Sequence, residues 1–174
     1  MQYVTLGKTG LTISRLGFGG IPIQRVDAAT TTELVKAMAE KGINYIDTAR
    51  GYTVSEEYLG EALEGLRDKF ILATKSMART KEAMAADIEI SLSNLRTDYI
   101  DLYQIHNPTM EQFMQVMQPG GALEALYEAR EAADSEIFKT CTDSPDMPCN
   151  RINSTLTFPD YSTEVYGNTM GDFE

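Results

Sequence analysis

"INYIDTARGY", residues 43–52, begins as an apolar strand-like run, stops on an acid at Asp47, and returns a phenol at Tyr52 after a short polar turn. A strand that ends on a carboxylate, followed by a turn carrying a tyrosine, delivers two titratable groups to one end of a sheet. The surrounding sequence decides what kind of sheet that is.

Three further runs have the same apolar, β-rich character: "ISRLGFGG" (13–20), "FILATKS" (70–76) and "YIDLYQIH" (99–106). With 43–49, their starts recur at roughly 27 to 30 residues, about the length of one strand–helix–strand unit. Strands this continuously apolar suit a parallel sheet covered on both faces. The segments between them carry helix signals. "TTTELVKAMAEKG" places Thr30 and Glu33 in a capping box and Gly42 at a C-cap. "TVSEEYLGEALEG" repeats that device with Thr53, Glu56 and Gly65. "TKEAMAADIEISLSNL" (80–95) sets Met84, Ile88, Leu92 and Leu95 at helical spacing, and "GGALEALYEAREAA" (120–133) reads as a fourth helix. At the start, "YVTLGKTGLTIS" predicts a hairpin turning on Gly7 to Gly10.

The expectation is an α/β fold made of an N-terminal hairpin and a parallel (βα)4 unit. That order belongs to a doubly wound sheet or to a (β/α)8 barrel. "GFGGIPIQR" fits neither the G-x-G-x-x-G nor the Walker loop of a doubly wound nucleotide binder. A full barrel takes about 250 residues, and the chain has 174. On pattern alone the choice between the two therefore stays open for residues 1–133. Residues 134–174, polar and dotted with Ser, Thr and Pro, read as a divergent, mostly irregular tail, with "EIFKTCT" as a poor candidate for a fifth strand.

The formal net charge of −11 argues against nucleic acid and anionic membranes as partners. No stretch approaches the roughly 20 apolar residues of a membrane span, and "MQYVTLGKTG" lacks a signal-peptide pattern. Cys141 and Cys149 do not have a usual zinc spacing, so no metal is expected. "NST" (153–155) matches a glycosylation acceptor only by its letters. The expected setting is the reduced cytoplasm.

Asp47, Tyr52, Lys75 and His106, the only histidine, all sit at strand ends or in the loops that follow. In a parallel barrel those ends open on one face. An ammonium beside a phenol favours phenolate. A carboxylate keeps that ammonium charged, and an imidazole can orient a carbonyl. Taken singly, the Asp reads as a cap, the Lys as a solvated terminus and the His as a structural residue. The four at matching ends of successive strands point instead to reduction of a carbonyl.

At this point the chain resembles the aldo-keto reductase family. The matching stretches are "LGKTGLTISRLGFGG", "GINYIDTARGY", "SEEYLGEAL", "FILATKS", "SLSNLRTDYIDLYQIHN" and "GGALEALYEAR", in family order up to about residue 132. The resemblance implies a (β/α)8 barrel, an NADPH or NADH cofactor, and reduction of a small aldehyde or ketone to an alcohol. It places the catalytic tetrad on Asp47, Tyr52, Lys75 and His106, and the nicotinamide end of the cofactor near Gly20, Ile21 and Asp47. "GGIPIQR" resembles a bacterial branch that often carries a C-terminal iron–sulfur segment, but no cysteine cluster for one is expected here. "KTCTDSPD" stands where the family continues with its next strand, so the resemblance implies a truncated half-barrel over residues 1–133, with the C-terminal half missing or replaced. Two function classes stay open: a reductase, and an inactive remnant or non-enzymatic partner-binding module. Uncovered strand edges of a half-barrel would also favour a homo-oligomer.

Overall fold

The computed structural model describes residues 1–7, 9–136 and 152–153. The hairpin forms as expected. Strand β1 (Tyr3–Thr5) pairs antiparallel with β2 (Thr12–Ser14). Gly7 and Gly10 supply the positive φ values (+50° and +76°) that the turn requires. Asn44 fastens the hairpin to the sheet. Its side chain accepts from the Ser14 N–H at 2.6 Å and donates to the Thr12 carbonyl at 3.0 Å.

That anchoring corrects the reading of 13–20 as one strand. Ile13 and Ser14 belong to the hairpin, and the parallel strand β3 is only Phe18–Gly19. Between them the chain crosses the Tyr45 ring so closely that a Cβ on Gly17 would lie 2.8 Å from it. β3 is followed by a 3-10 turn, Ile21–Arg25. The main sheet continues with β4 (Tyr45–Asp47), β5 (Ile71–Ser76), β6 (Ile100–Ile105) and β7 (Ile152–Asn153). Its order is β3-β4-β5-β6-β7, with every pairing parallel. "YIDLYQIH" is thus not the last strand, since β7 pairs with it at Ile100 and Leu102. The possible strand at "EIFKTCT", the two cysteines and most of the tail lie outside the described residues.

Helix α1 (Ala28–Lys41) starts earlier than the Thr30/Glu33 box predicted. Its N-cap is Asp27, whose carboxylate accepts from the Thr30 N–H at 2.8 Å. An extended Asp just before the first turn accepts from the orphan Thr30 N–H, so the helix begins one turn earlier and Thr30 lies inside it. Gly42 closes the helix at φ +73°, as expected. Helix α2 (Ser55–Ala62) lacks the predicted Thr53 cap. Thr53 lies at φ +46°, and Glu56 turns inward instead of back to the helix end. Helix α3 (Lys81–Asn94), capped by Thr80, buries Met84 and Ile88 at the predicted spacing. A helix absent from the sequence reading, α4 (Met110–Val116), forms on a true capping box between Thr109 and Gln112. Helix α5 (Ala122–Glu136) runs past residue 133.

The core lies between the sheet and the helices. Ile46, Leu72, Ile100 and Tyr103 pack against Leu59, Leu63, Met84, Ile88, Leu95 and Leu126. α2 and α3 approach most tightly at Gly60, where an added Cβ would lie 2.1 Å from the Asn94 carbonyl oxygen. A backbone atom cannot move aside as a side chain can. Gly60→Ala should therefore lower stability by about 2 to 3 kcal/mol, the overpacking cost outweighing the roughly 1 kcal/mol of helix propensity gained. The urea midpoint of the variant measures this. A midpoint at or above that of the parent would show that the helices can part freely.

Candidate active site

Strand pairing determines which residues meet. Asp47 lies opposite Gly19 on β3 and Ala73 on β5, and Lys75 lies opposite Gln104 on β6. All of these positions are near the C-terminal ends of parallel strands. Chain separations of 28 residues (Asp47 to Lys75) and 57 residues (Asp47 to Gln104) thus become direct contacts.

Lys75 is at the centre. Its side chain is 7% exposed. The ammonium donates to Asp47 Oδ2 at 2.5 Å and to the Thr48 carbonyl at 2.8 Å. It also stands 5.1 Å from the centre of the Tyr52 ring. A buried ammonium needs such partners, because desolvation alone would cost several kcal/mol. The other Asp47 oxygen accepts from Gln104 Nε2 at 3.0 Å, so the carboxylate is held from two strands. Its side chain remains 34% exposed, open on one side of the cluster.

Tyr52 sits in the turn after β4. Its N–H donates to the Ala49 carbonyl, and its carbonyl accepts from the Ser55 N–H. The ring meets that of His106 edge to face, with centroids 5.7 Å apart and planes at 86°. The backbone N–H of His106 donates to the Ser76 carbonyl, and Arg79 donates to the His106 carbonyl at 2.7 Å. The imidazole Nδ1 is buried and has no hydrogen-bond partner among the described residues. Burial, and then the nearby Lys75 ammonium, hold its pKa below the ordinary histidine value, although Asp47 pulls the other way. At neutral pH the ring is neutral.

The structure therefore brings Asp47, Tyr52, Lys75 and His106 into one cluster. Gly20 joins it through the backbone, its N–H donating to the Asp47 carbonyl at 2.7 Å. A side chain there would strike Thr48 and Ser55, whose hydroxyls are bonded to each other beneath it. Ile21 follows with its side chain about half exposed beside that rim.

Sequence reading missed two members. Gln104 breaks the apolar character of "YIDLYQIH" two residues before His106, which is a legible signal for an inward polar group. Arg79 lies in the loop after β5 and carries no local signal. A surface groove of about 750 Å³ is lined by Arg67, Asp68, Leu92, Arg96 and Tyr99 among others. These residues belong to the opposite end of the strands from the cluster.

Comparison with known proteins gives consistent matches. The model of the Aldo/keto reductase family matches residues 15–149. The aldo-keto reductase YhdN of Bacillus subtilis is 34% identical over 148 residues, covering 74% of this chain and 44% of that protein. L-galactose dehydrogenase of Arabidopsis thaliana is 37% identical over 120 residues, covering 59% of this chain and 37% of that protein. Among solved structures, the holo form of aldo-keto reductase AKR11C1 from Bacillus halodurans superposes with a TM-score of 0.64 at 33% identity. That match covers 78% of this chain and 47% of the other. The chain spans less than half the length of these proteins, and its parallel sheet is part of a barrel.

The single histidine makes the electrostatics measurable. In an NMR titration, His106 should ionise below about 6.5, and Lys75→Met should move it upward by removing a nearby positive charge. A histidine neutral in the fold takes up protons more readily when unfolded. Its contribution therefore turns against folding as pH falls below the unfolded value. An unchanged His106 titration in Lys75→Met would separate the two groups electrostatically.

Proposed function

The chain belongs to the Aldo/keto reductase family, and from that premise we propose that it takes part in NAD(P)H-dependent reduction of an aldehyde or ketone to an alcohol. The observation that carries this reading is the Asp47–Lys75 pair, its ammonium buried, beneath Tyr52, with His106 against the same ring. Tyr52 is the proton donor to the carbonyl oxygen. The Lys75 ammonium stabilises negative charge developing on the phenol oxygen as the proton leaves. Asp47 holds Lys75 in place and ionised. His106, neutral and with Nδ1 buried, offers the proton on Nε2 to the same carbonyl oxygen and fixes its direction.

The residues present suit the nicotinamide end of a dinucleotide. Ile21, a half-exposed aliphatic side chain, follows Gly20, whose amide ties the end of β3 to the partly open Asp47. Gly20, Ile21 and Asp47 would hold that end. A bound NADPH or NADH supplies the hydride. Every other element of the proposal lies in this chain's own side chains.

Tyr52→Phe tests it directly. The variant keeps the ring and its contacts but removes the transferable proton. Reduction of a simple aldehyde should fall by about 10² to 10⁴-fold, the usual contribution of general acid catalysis. Binding of NADPH, followed by its fluorescence, should stay close to that of the parent. A variant that retains its rate would mean the proton comes from another group.

A further inference from the structure

Directly behind the catalytic cluster, on the helix side of the sheet, lies a second buried charge that the mechanism above does not use. Glu56, in the first turn of α2, is 1% exposed. Its Oε1 accepts from Thr74 Oγ1 at 2.7 Å and from Ser91 Oγ at 2.8 Å. Its Oε2 faces the Arg50 guanidinium at 3.7 Å. Arg50 also faces Asp87 on α3 at 3.7 Å, and Asp87 in turn accepts from Ser76 Oγ. A carboxylate removed from water in this way is costly unless it is paired, and Arg50 is the cation that pairs it.

Arg50 stands two residues before Tyr52. Its own N–H donates to the Lys75 carbonyl at 2.9 Å. The turn it opens contains Thr53 at φ +46°, a conformation that persists only where the surroundings impose it. Backbone bonds fix the two ends of the turn: Arg50 to Lys75, and Ser55 to Tyr52. The Arg50 side chain is the link from the turn to the helix layer.

We propose that Glu56 and Arg50 form a bracket that sets the position of Tyr52 over Lys75 and against His106, so that both act as positioning residues for the reaction. The inference rests on the reductase reading, but its geometry can be tested without turnover. His106 is the only histidine, so its ring protons give isolated NMR signals. The Tyr52 ring, edge to face with it at 5.7 Å, displaces those signals by its ring current. Tyr52→Ala provides the reference without that ring.

In Glu56→Gln, which keeps the shape and the acceptor oxygen but removes the charge, the His106 signals should move toward the Tyr52→Ala values. Arg50→Gln should move them equally, and the double variant, in which neither charge is left without its partner, no further. Arg50→Lys, which keeps the positive charge, should recover most of the displacement. Where the parent reduces an aldehyde, kcat should fall by about 10-fold or more with KM within about 2-fold, as for a misplaced catalytic group. His106 signals unmoved in Glu56→Gln and Arg50→Gln, or a raised KM at unchanged kcat, would overturn the bracket. A parent with no turnover at all would sink the reductase reading and leave the NMR comparison intact.

Discussion

A lysine ammonium held almost out of water is the constraint from which the site is built. Lys75 cannot keep its charge at the end of β5 unless oxygen atoms surround it. It finds them on β4, in the Asp47 carboxylate and the Thr48 carbonyl. Satisfying one buried charge therefore fixes the register of two strand ends. Gln104 adds β6 to the same carboxylate, and the Gly20 amide adds β3 through the Asp47 backbone. Four neighbouring strands converge on one ion pair, and the turn that leaves β4 has little choice but to carry Tyr52 past it.

Strand alternation makes β5 the hinge between two polar layers. Lys75 faces the catalytic cluster, while its neighbours Thr74 and Ser76 point to the helices. There they meet Glu56 and Asp87, both facing Arg50. A layer that would ordinarily be apolar thus holds a polar network, with Ser91 linking Glu56 toward the Tyr103 hydroxyl and Arg50 facing both carboxylates through ion pairs, its buried Nε without a hydrogen bond among the described residues. Burial pushes the Tyr103 phenol upward, so it remains a neutral hydrogen-bonding group. Losing any one partner leaves the others less satisfied still, which favours this arrangement of the layer over others.

The four catalytic candidates were legible because they recur at one position in a repeated unit, where the strand ends. Periodicity likewise placed α3 and α5, and glycines placed the hairpin and the end of α1. The local rules failed where a tertiary demand outbid them. Glu56 follows Thr53 at capping-box spacing, but Thr74, Ser91 and Arg50 claim its carboxylate, and none of these is adjacent in sequence. The run 13–20 looks like one strand, but the Asn44 side chain captures Ser14 for the hairpin. α4 escaped notice because "TMEQFMQV" is short and its stripe of Met110, Met114 and Met117 remains exposed, so it lacks the buried face that periodicity detects.

The cluster is local in the fold although dispersed in sequence. Among the described residues, the bonds that orient Asp47, Tyr52, Lys75 and His106 come from residues between Gly20 and His106. They lie on strands that pair with one another in register, and in the loops that follow those strands. What the same strands cannot supply locally is closure. β3 contributes only Phe18–Gly19 to its ladder, and its outer side has no neighbour among the described strands. Exclusion of water from the cluster depends on covering that side, so the groups of the candidate site and the surfaces that would enclose it are separable parts of this fold.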